Sequence, residues 1–464
     1  MGGATAIGQG ALVISAPVVA RLYDPAAFGL LAVYTAVLSV LVAVASLRYD
    51  FAIPIAQDRS EAVHLLVLSV ILALGASVIA ALVLFMWGTP LALMLGVPSL
   101  ASYMWLLPCA LVVASITQAL ASWAVYDRSF EALGRMRAVQ GVGQAAFQVV
   151  LGILHIGPLG LLAGDLAGRT LGTQQLSRSV LASLRSTQLS VNGVRRQARR
   201  TWRFARLMTA ASFLSAVSLQ LPFLLIPILF SLEAAGQYFL AYRVLILPAS
   251  LVAAAFSQVF FGEAAFRRSN APDLQEFARN AVVALLIFSI PTYGMVTVVG
   301  PTLIQAAFGD EWMPAGQYAQ IIAPWLMLQC VASPISGLLV IGRREGESLA
   351  FTAAGLTLET AAIGIGAAMN SLIAGLVILS ITSMLLTLGS LWRFLRVANV
   401  ELRELGRPAS RILAMTLPSL VAVGILAAVS PAWVLLAAAV GWTTAIGLAG
   451  YRSPELHAFL RGTR

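Results

Sequence analysis

The sequence has little charge and no lysine. Charged residues make up 10% of the 464 residues, and all 29 basic residues are arginine. A soluble globular protein carries about 25% charged residues, so this chain could not solvate the surface of a soluble domain of its size. The absence of lysine also excludes a phosphate-binding P-loop, which needs its lysine, and catalysis through a lysine Schiff base. The chain is therefore not its own ATPase.

Cysteine and histidine are also scarce. The two cysteines, Cys109 and Cys330, each lie inside an apolar stretch, and the three histidines are far apart in the sequence. Two isolated cysteines cannot form a disulfide framework or a zinc motif. Neither a cofactor nor a metal site is expected.

Long apolar runs are what the sequence has in abundance. Hydrophobic residues make up 59% of the chain, and residues 63–88 form one continuous apolar run. A bilayer can solvate such a surface, and there only helices and closed barrels satisfy every backbone hydrogen bond. Alternation with a period of two residues is absent, so the pattern favours helices over a barrel. The sequence predicts an all-α membrane protein.

About fourteen transmembrane helices are predicted, because a span needs about 20 apolar residues. The predicted spans lie near residues 4–21, 27–47, 62–87, 101–126, 138–156, 158–177, 207–230, 238–262, 281–305, 316–341, 351–369, 371–395, 411–430 and 433–451.

The arginines are distributed asymmetrically about these spans. With the N-terminus in the cytoplasm, the external connections carry one arginine, Arg21, whereas the cytoplasmic connections and the C-terminal tail carry 26. Cytoplasmic loops of membrane proteins carry an excess of basic residues. The pattern predicts that both termini are cytoplasmic, and it assigns the net charge of +10 to membrane topology rather than to nucleic-acid binding.

A long arginine-rich connection divides the spans into two halves. The predicted domains are an N-terminal six-helix lobe over 1–180, a cytoplasmic arginine-rich linker over 181–206, a C-terminal six-helix lobe over 207–395, and two extra helices with a tail over 396–464. The linker is expected to lie on anionic headgroups, with RNA or a protein partner as the alternative.

Two sequence repeats indicate how the helices are organised. Each half of the chain enters its second span through a glycine and then a tyrosine. The two segments are therefore weakly similar in sequence, YDPAAFGLLAVYTAVL in the first half and SLEAAGQYFLAYRVL in the second. Two parallel repeats are typical of a transporter. Glycines recur every four residues in the sixth span, which predicts a helix-packing face. These glycines are Gly160, Gly164, Gly168 and Gly172.

Ionisable residues inside a bilayer are costly, so they mark candidate sites. Arg243 lies about five residues into its predicted span, roughly 7 Å deep at 1.5 Å per residue, with snorkelling to the interface as the alternative. Arg48 and Asp50 lie at the cytoplasmic end of the second span, where ordinary anchoring is the alternative. Arg21 ends the first span on the external side, against the charge rule, which favours a function.

Two acidic residues are candidates for ion coupling. Glu359 has no charged neighbour on its predicted helix, so it could bind a proton or sodium; a hydrogen bond to another helix is the alternative. Asp165 is the second candidate, although Arg169 follows four residues later and can neutralise it on one helix face. Gln144 lies on a polar face of the fifth span, which predicts the wall of a water-filled cavity.

Several of these residues occur in a pattern that resembles a known family. Residues 2–54 contain Gln9 and Pro17 in a glycine-rich span, then Arg-Leu-Tyr-Asp-Pro-Ala-Ala-Phe-Gly from Arg21, then Arg-Tyr-Asp from Arg48. The later segments YDRSFEALGRMRAVQGVGQAAFQVVLG and FGDEWMPAGQYAQIIAPW fit the same pattern. Together they resemble Wzx-type flippases of polysaccharide biosynthesis, within the multidrug/oligosaccharidyl-lipid/polysaccharide exporter superfamily.

The resemblance implies two six-helix lobes around a central cavity and a transport function without enzymatic catalysis. The implied cargo is an undecaprenyl-pyrophosphate-linked oligosaccharide for lipopolysaccharide or exopolysaccharide, moved from the cytoplasmic to the external leaflet of the bacterial inner membrane with ion or potential coupling. Other implied partners are membrane lipid, H⁺ or Na⁺, a polysaccharide polymerase and a chain-length regulator, but no nucleic acid. The candidate residues are Arg21, Arg48, Asp50, Gln144 and Arg243 for substrate, and Glu359 and Asp165 for ion coupling.

Other functions stay open on the sequence alone. A lipid II flippase would also have fourteen spans. A multidrug or cation antiporter would favour acidic cavity residues, whereas the spans here carry arginines. A membrane-embedded polysaccharide polymerase would need catalytic residues on sizeable external loops, and the external connections are short. A passive assembly scaffold would not need buried charges.

Overall fold

The computed structural model describes residues 2–186, 189–266, 271–338 and 345–429. These residues form thirteen α-helices with short 3₁₀ segments over Tyr49–Ile55, Pro98–Tyr103 and Asp310–Trp312. The helices are α1 (Gly2–Leu22), α2 (Pro25–Ala45), α3 (Arg59–Met94), α4 (Leu106–Tyr126), α5 (Phe130–Ile153), α6 (Pro158–Ser186), α7 (Val191–Leu229), α8 (Leu232–Phe266), α9 (Ala271–Phe308), α10 (Met313–Ile335), α11 (Glu345–Ala368), α12 (Leu372–Val397) and α13 (Leu402–Val429).

Each of the first thirteen predicted spans corresponds to one of these helices, and the last, near 433–451, lies outside the described residues. Within the described ranges, nine helices are long and apolar enough to cross a membrane. Helices α5 and α6 are not among the nine, and they carry the glutamines and the Asp165–Arg169 pair. The prediction of an all-α, multi-pass membrane protein is confirmed.

Capping side chains fix where three of the helices begin. The Asp24 Oδ1 accepts a hydrogen bond from the Ala27 N–H at 2.7 Å at the start of α2. Asp58 does the same for α3, and the Ser190 Oγ does so for α7. Such caps each contribute about 1 kcal/mol to helix stability. These caps fix the first turns of helices in the unit that carries Arg21 and Arg48.

The chain divides into two compact units, unit 1 over Met1–Gly236 and unit 2 over Gln237–Arg464. Unit 1 contains α1 to α7 and the first turn of α8, and unit 2 contains the rest. The lobes predicted over 1–180 and 207–395 stay a prediction.

The glycine ladder of α6 packs against α5, as predicted. A Cβ added at Gly164 would lie 2.5 Å from the Gln148 Cγ, and one added at Gly168 would lie 2.7 Å from the Gln144 Cβ. No side chain fits at these positions without moving α5. The close approach therefore places α5 against the helix that bears Asp165.

A hydrophobic cluster supports the segment that follows α2. Tyr49 and Ile53 are buried together with Trp123 of α4 and Ala205 of α7. The Tyr49 hydroxyl donates a hydrogen bond to the Ala198 carbonyl of α7 at 2.9 Å. These contacts fix the backbone on both sides of Arg48 and Asp50.

In unit 2, two sets of contacts hold the helices that carry candidate residues. Near the start of α8, the Gln237 side chain donates to the Glu311 carbonyl at 2.7 Å and accepts from the Ala315 N–H at 3.0 Å. Helix α11 packs closely on α12, since a Cβ at Gly366 would lie 2.5 Å from the Gly375 Cα. The backbones around Arg243 and Glu359 are therefore tied to their own unit.

Candidate substrate and ion sites

Arg48 lies in a tight segment just after the C-terminal end of α2. Leu47 and Arg48 have φ values of 47° and 56°, in the left-handed region that costs roughly 1–2 kcal/mol for a non-glycine residue. The Arg48 side chain is 11% exposed and the Asp50 side chain 1%. The fold thus holds an arginine and a carboxylate in a buried, strained segment, and such strain clusters at functional sites.

The hydrogen bonds of this pair are incomplete. The Asp50 Oδ1 accepts from the Ser46 hydroxyl, but the Asp50 Oδ2 and the Arg48 Nε and Nη1 have no hydrogen-bond partner in the described part of the chain. The Arg48 Nη1 lies 4.0 Å from the Asp50 Oδ2, and the guanidinium carbon lies 4.7 Å from the Phe51 ring centroid. Burial lowers the pKa of Arg48, and the Asp50 carboxylate opposes that shift. An unpaired donor costs about 1–3 kcal/mol. A phosphate oxygen could accept hydrogen bonds from the two Arg48 nitrogens, but it would repel the Asp50 carboxylate oxygen.

Arg21 and Arg48 do not come together. Arg21 is exposed in the last turn of α1, whereas Arg48 follows the end of α2. The 21 residues of α2 lie between them, about 31 Å at 1.5 Å per residue. One pyrophosphate group cannot contact both residues at once, so any shared role would be sequential.

The predicted pairing of Asp165 with Arg169 is confirmed. The Arg169 Nε donates to the Asp165 Oδ2 at 2.8 Å, and the Arg169 Nη2 donates to Oδ1 at 3.3 Å. The Asp165 side chain is 5% exposed, but the Arg169 side chain is 36% exposed. The carboxylate is therefore buried, whereas part of the Arg169 side chain remains accessible.

Tyr34 joins this pair, and sequence reasoning missed it. Tyr34 of α2 is fully buried, and its hydroxyl has no hydrogen-bond partner among the described residues. It interacts electrostatically with both Asp165 and Arg169. The only sequence signal was the tyrosine of the weak repeat, which does not say which side chains it faces.

The glutamines of α5 have different environments. Gln148 is buried, and its side-chain Nε2 donates to the Leu161 carbonyl at 3.2 Å. The backbone carbonyl of Gln148 accepts a hydrogen bond from the Tyr23 hydroxyl at 2.9 Å. Gln148 is therefore a structural link. Gln144 is half-buried against Gly168, and its role in substrate binding stays a prediction.

Arg243 lies deeper in its helix than the sequence indicated. Helix α8 begins at Leu232, so Arg243 lies about 16 Å along it at 1.5 Å per residue rather than roughly 7 Å. Arg243 is half-buried, and its guanidinium carbon lies 5.9 Å from the Phe239 ring centroid. The turns before residue 238 contain Glu233 and Gln237, so the greater distance from the helix start does not place Arg243 deeper in the apolar part of the span.

Glu359 of α11 lies within electrostatic range of two tyrosines of α8. Glu359 is half-buried and interacts electrostatically with Tyr238 and Tyr242, whose rings stack with centroids 6.2 Å apart. It forms no ion pair with any residue that the structure describes. The neighbouring hydroxyl of Thr360 donates to the Leu356 carbonyl at 2.6 Å. A carboxyl beside two phenols has the chemistry to hold a proton or a small cation.

The arginine-rich stretch forms the first turns of α7. One side of it packs on unit 1 through Ala198 and through the Glu61–Arg200 ion pair at 3.5 Å. The other side carries exposed arginines at 195, 196, 199, 203 and 206. No group of three or more His, Cys, Asp or Glu side chains that could hold a metal ion occurs among the described residues.

Known proteins resemble this chain in sequence and in fold. The chain is similar to the lipopolysaccharide biosynthesis protein WzxC of Escherichia coli (strain K12), with 26% identity over 374 residues that cover 79% of this chain and 73% of WzxC. Its fold is similar to that of the lipid II flippase MurJ in an inward closed conformation, with a TM-score of 0.73, 11% identity, and coverage of 97% of this chain and 98% of that one. It is also similar to an inward-facing multidrug resistance MATE family transporter of the MOP superfamily, with a TM-score of 0.68, 15% identity, and coverage of 86% and 95%.

The family match extends over both units. Residues 18–317 match the family described as polysaccharide biosynthesis protein, which is more than half of the chain. This range includes Arg21, Arg48, Asp165 and Arg243, though not Glu359. The chain belongs to the polysaccharide biosynthesis protein family, as the resemblance of its first two spans predicted.

Proposed function

We propose that this protein is a flippase that moves an undecaprenyl-pyrophosphate-linked oligosaccharide from the cytoplasmic to the external leaflet of the bacterial inner membrane. Membership of the polysaccharide biosynthesis family supports a glycan cargo, and the similarity to WzxC supports a role in surface polysaccharide. The fold shared with the lipid II flippase MurJ supports transport of a lipid-linked glycan. In this proposal the protein transports the lipid and catalyses no covalent change.

The observation that carries the proposal is the buried, incompletely bonded Arg48. A pyrophosphate group carries at least two negative charges, and moving a bare anion into hydrocarbon costs tens of kcal/mol. Arginine can offset this cost, because its planar guanidinium donates paired hydrogen bonds to phosphate oxygens and stays charged at any cellular pH. The Arg48 Nε and Nη1 have no partner among the described residues, so we infer that they receive the pyrophosphate at the cytoplasmic end.

Arg21 and Arg243 complete the proposed route for the headgroup. Arg21, about 31 Å from Arg48 along α2, would meet the pyrophosphate on the external side. Arg243, about a third of the way along α8, would contribute the contact from unit 2. Asp50 would orient Arg48, and Gln144 would line the polar wall. Because only a few residues would contact the headgroup at any one time, the cargo could be released. Transport also requires that the cargo bind the two end states differently.

Glu359 is the proposed coupling residue. A half-buried carboxyl beside Tyr238 and Tyr242 can bind H⁺ or Na⁺ in one state and release it in the other. Asp165, the second candidate from the sequence, is engaged by Arg169. We therefore favour Glu359 for ion coupling, and we assign Asp165 to controlling when Arg169 is available to an anion.

The orientation in the membrane follows from the arginine distribution. Both termini are proposed to be cytoplasmic, because 26 of the 29 arginines then lie on that side. Reporter fusions after Ser99 and Asp310 should be active on the external side, and fusions after Arg137, Arg196 and Arg403 on the cytoplasmic side. A cytoplasmic report from Ser99 would contradict this topology.

The proposed function is tested with arginine variants in cells that lack this flippase. Arg243→Ala and Arg48→Ala should abolish surface polysaccharide, Arg243→Lys should restore little because lysine lacks the paired donors, and Arg21→Ala should have a weaker effect. Exposed Arg135, paired with Glu131 at 3.0 Å, supplies the matched control Arg135→Gln, which should transport normally. Normal polysaccharide from Arg48→Ala and Arg243→Ala at normal membrane abundance would refute the site.

A further inference from the structure

The Asp165–Arg169 pair has an arrangement that a purely structural ion pair does not need. Arg169 donates hydrogen bonds to both oxygens of the Asp165 carboxylate, at 2.8 and 3.3 Å. These bonds compensate the cost of burying the charge of a carboxylate that is almost fully buried. Arg169 itself is 36% exposed along its side chain. Part of the Arg169 side chain is therefore accessible from outside the core of unit 1, while its guanidinium is held by the buried Asp165 carboxylate.

Tyr34 supplies a buried hydroxyl within electrostatic range of the Asp165 carboxylate, which makes it the candidate to replace Arg169 as its partner. Its hydroxyl is buried, lacks a hydrogen-bond partner among the described residues, and interacts electrostatically with Asp165 and Arg169. Cys109 of α4 is the other titratable side chain that interacts with Tyr34. An unused donor beside a buried carboxylate costs free energy in this state, and that cost is recovered if Asp165 loses its arginine.

The pair also lies between the two ends of α2. Tyr34 is nine residues from Pro25, about 14 Å along α2, and eleven residues from Ala45, about 17 Å. Arg21 precedes one end of this helix and Arg48 follows the other. Along the axis of α2, Tyr34 therefore lies roughly halfway between Arg21 and Arg48.

We propose that Arg169 is a third anion-binding arginine of unit 1, held by Asp165 in the conformation seen here and released to the pyrophosphate midway through transport, while the Tyr34 hydroxyl takes over the Asp165 carboxylate. This inference rests on the proposed function. It assigns Arg169 to substrate binding, Asp165 to competition with the substrate for Arg169, and Tyr34 to positioning.

The proposal predicts effects of opposite sign within one cluster. Arg169→Gln removes an anion contact, so it should weaken the binding of undecaprenyl pyrophosphate by about tenfold or more. Asp165→Asn removes the competitor, so it should strengthen binding. Tyr34→Phe removes the replacement donor, so it should weaken binding several-fold when Asp165 is present and have no effect together with Asp165→Asn.

The measurement is the dissociation constant of undecaprenyl pyrophosphate for the purified full-length protein, with undecaprenol, which lacks the anion, as the ligand control. Arg135→Gln, which breaks an exposed arginine–carboxylate pair of the same spacing, is the matched protein control. Undecaprenol binding should be the same in all variants. If Asp165→Asn does not fold, the double variant Asp165→Asn/Arg169→Gln removes both charges together, and Tyr34→Phe should be silent in that background.

Two results would overturn the inference. One is a loss of affinity in Asp165→Asn as large as that in Arg169→Gln, which would make the pair merely structural. The other is an equal effect of Tyr34→Phe in every background. Arg48→Ala separates this inference from the proposed function: if Arg48→Ala loses binding and Arg169→Gln does not, only the inference fails. Absence of undecaprenyl pyrophosphate binding by the unmodified protein would end both.

Discussion

In each unit of this protein, a tyrosine of an early helix interacts electrostatically with a carboxyl group of a later one, but the carboxyl groups are used differently. In unit 1, Tyr34 faces Asp165, which is bound by Arg169 at 2.8 Å. In unit 2, Tyr242 faces Glu359, which makes no ion pair with a described residue. Tyr34 and Tyr242 lie about 14 and 15 Å from the starts of α2 and α8. The two clusters therefore share a plan and differ by one arginine.

That difference separates two tasks that a flippase must perform. A carboxylate that is held by a guanidinium cannot readily take up a proton or sodium, but it can regulate when the guanidinium meets an anion. A carboxyl that interacts with phenols and forms no ion pair with a described residue can exchange a small cation. We therefore assign the control of anion binding to unit 1 and ion coupling to unit 2. The predictions below test this assignment.

The largest effect is expected when the unit 1 pair is broken from one side. Arg169→Leu should lower the free energy of unfolding by about 3 kcal/mol, near the lower end of the range for buried pairs because Arg169 is partly exposed. The double variant Arg169→Leu/Asp165→Leu should be close to the unmodified protein, because no charge is left unpaired. The check is denaturation of the purified protein in detergent. A double variant as unstable as the single one would show that the pair does not explain the loss.

A smaller effect on stability, with a large effect on coupling, is expected in unit 2. Glu359→Gln should change the free energy of unfolding by about 1 kcal/mol or less, yet abolish the dependence of transport on pH or sodium. Glu347 of the same helix, which is paired with Arg393 at 2.5 Å, provides the contrast: Glu347→Gln should be less stable and keep its ion dependence. Transport in vesicles with imposed ion gradients measures this. Unchanged ion dependence in Glu359→Gln would remove this residue from the mechanism.

The smallest effect is expected from the tyrosine next to Glu359. Tyr242→Phe removes one hydroxyl worth about 1 kcal/mol, so the ion concentration for half-maximal transport should rise roughly fivefold while the maximal rate is retained. Tyr293, whose hydroxyl donates to the Leu245 carbonyl at 2.9 Å, supplies the control Tyr293→Phe. Equal shifts in both variants would indicate a general packing effect rather than a contact with the ion site.

The sequence predicted those features that depend on local spacing. Thirteen spans, the pairing of Asp165 with Arg169 and the packing face of α6 all follow from helical periodicity within one segment. Tyr34 was missed because its partners lie more than 100 residues later, on another helix, and hydropathy gives no information about such contacts. The similar approach of Tyr242 to Glu359 was missed for the same reason.

The position of Arg243 shows where hydropathy misleads. The predicted span began near residue 238, because Glu233 and Gln237 lower the hydropathy of the preceding turn. The helix nevertheless begins at Leu232, with the Ser231 hydroxyl accepting a hydrogen bond from the Ala234 N–H at 3.0 Å. A capped polar turn extends the helix beyond its apolar part, and so Arg243 lies one and a half turns further in.

The central claim, that the protein flips a pyrophosphate-linked glycan lipid, is tested most directly in sealed vesicles that contain only the purified protein and an undecaprenyl-pyrophosphate-linked oligosaccharide. The account predicts protein-dependent movement of the glycan between leaflets, stimulated by a proton or sodium gradient, with no movement for Arg48→Ala and normal movement for Arg135→Gln. Lipid II supplied in place of this substrate should move more slowly, and equal movement would favour a lipid II flippase. No movement of either lipid by protein that is folded and correctly inserted would contradict the account.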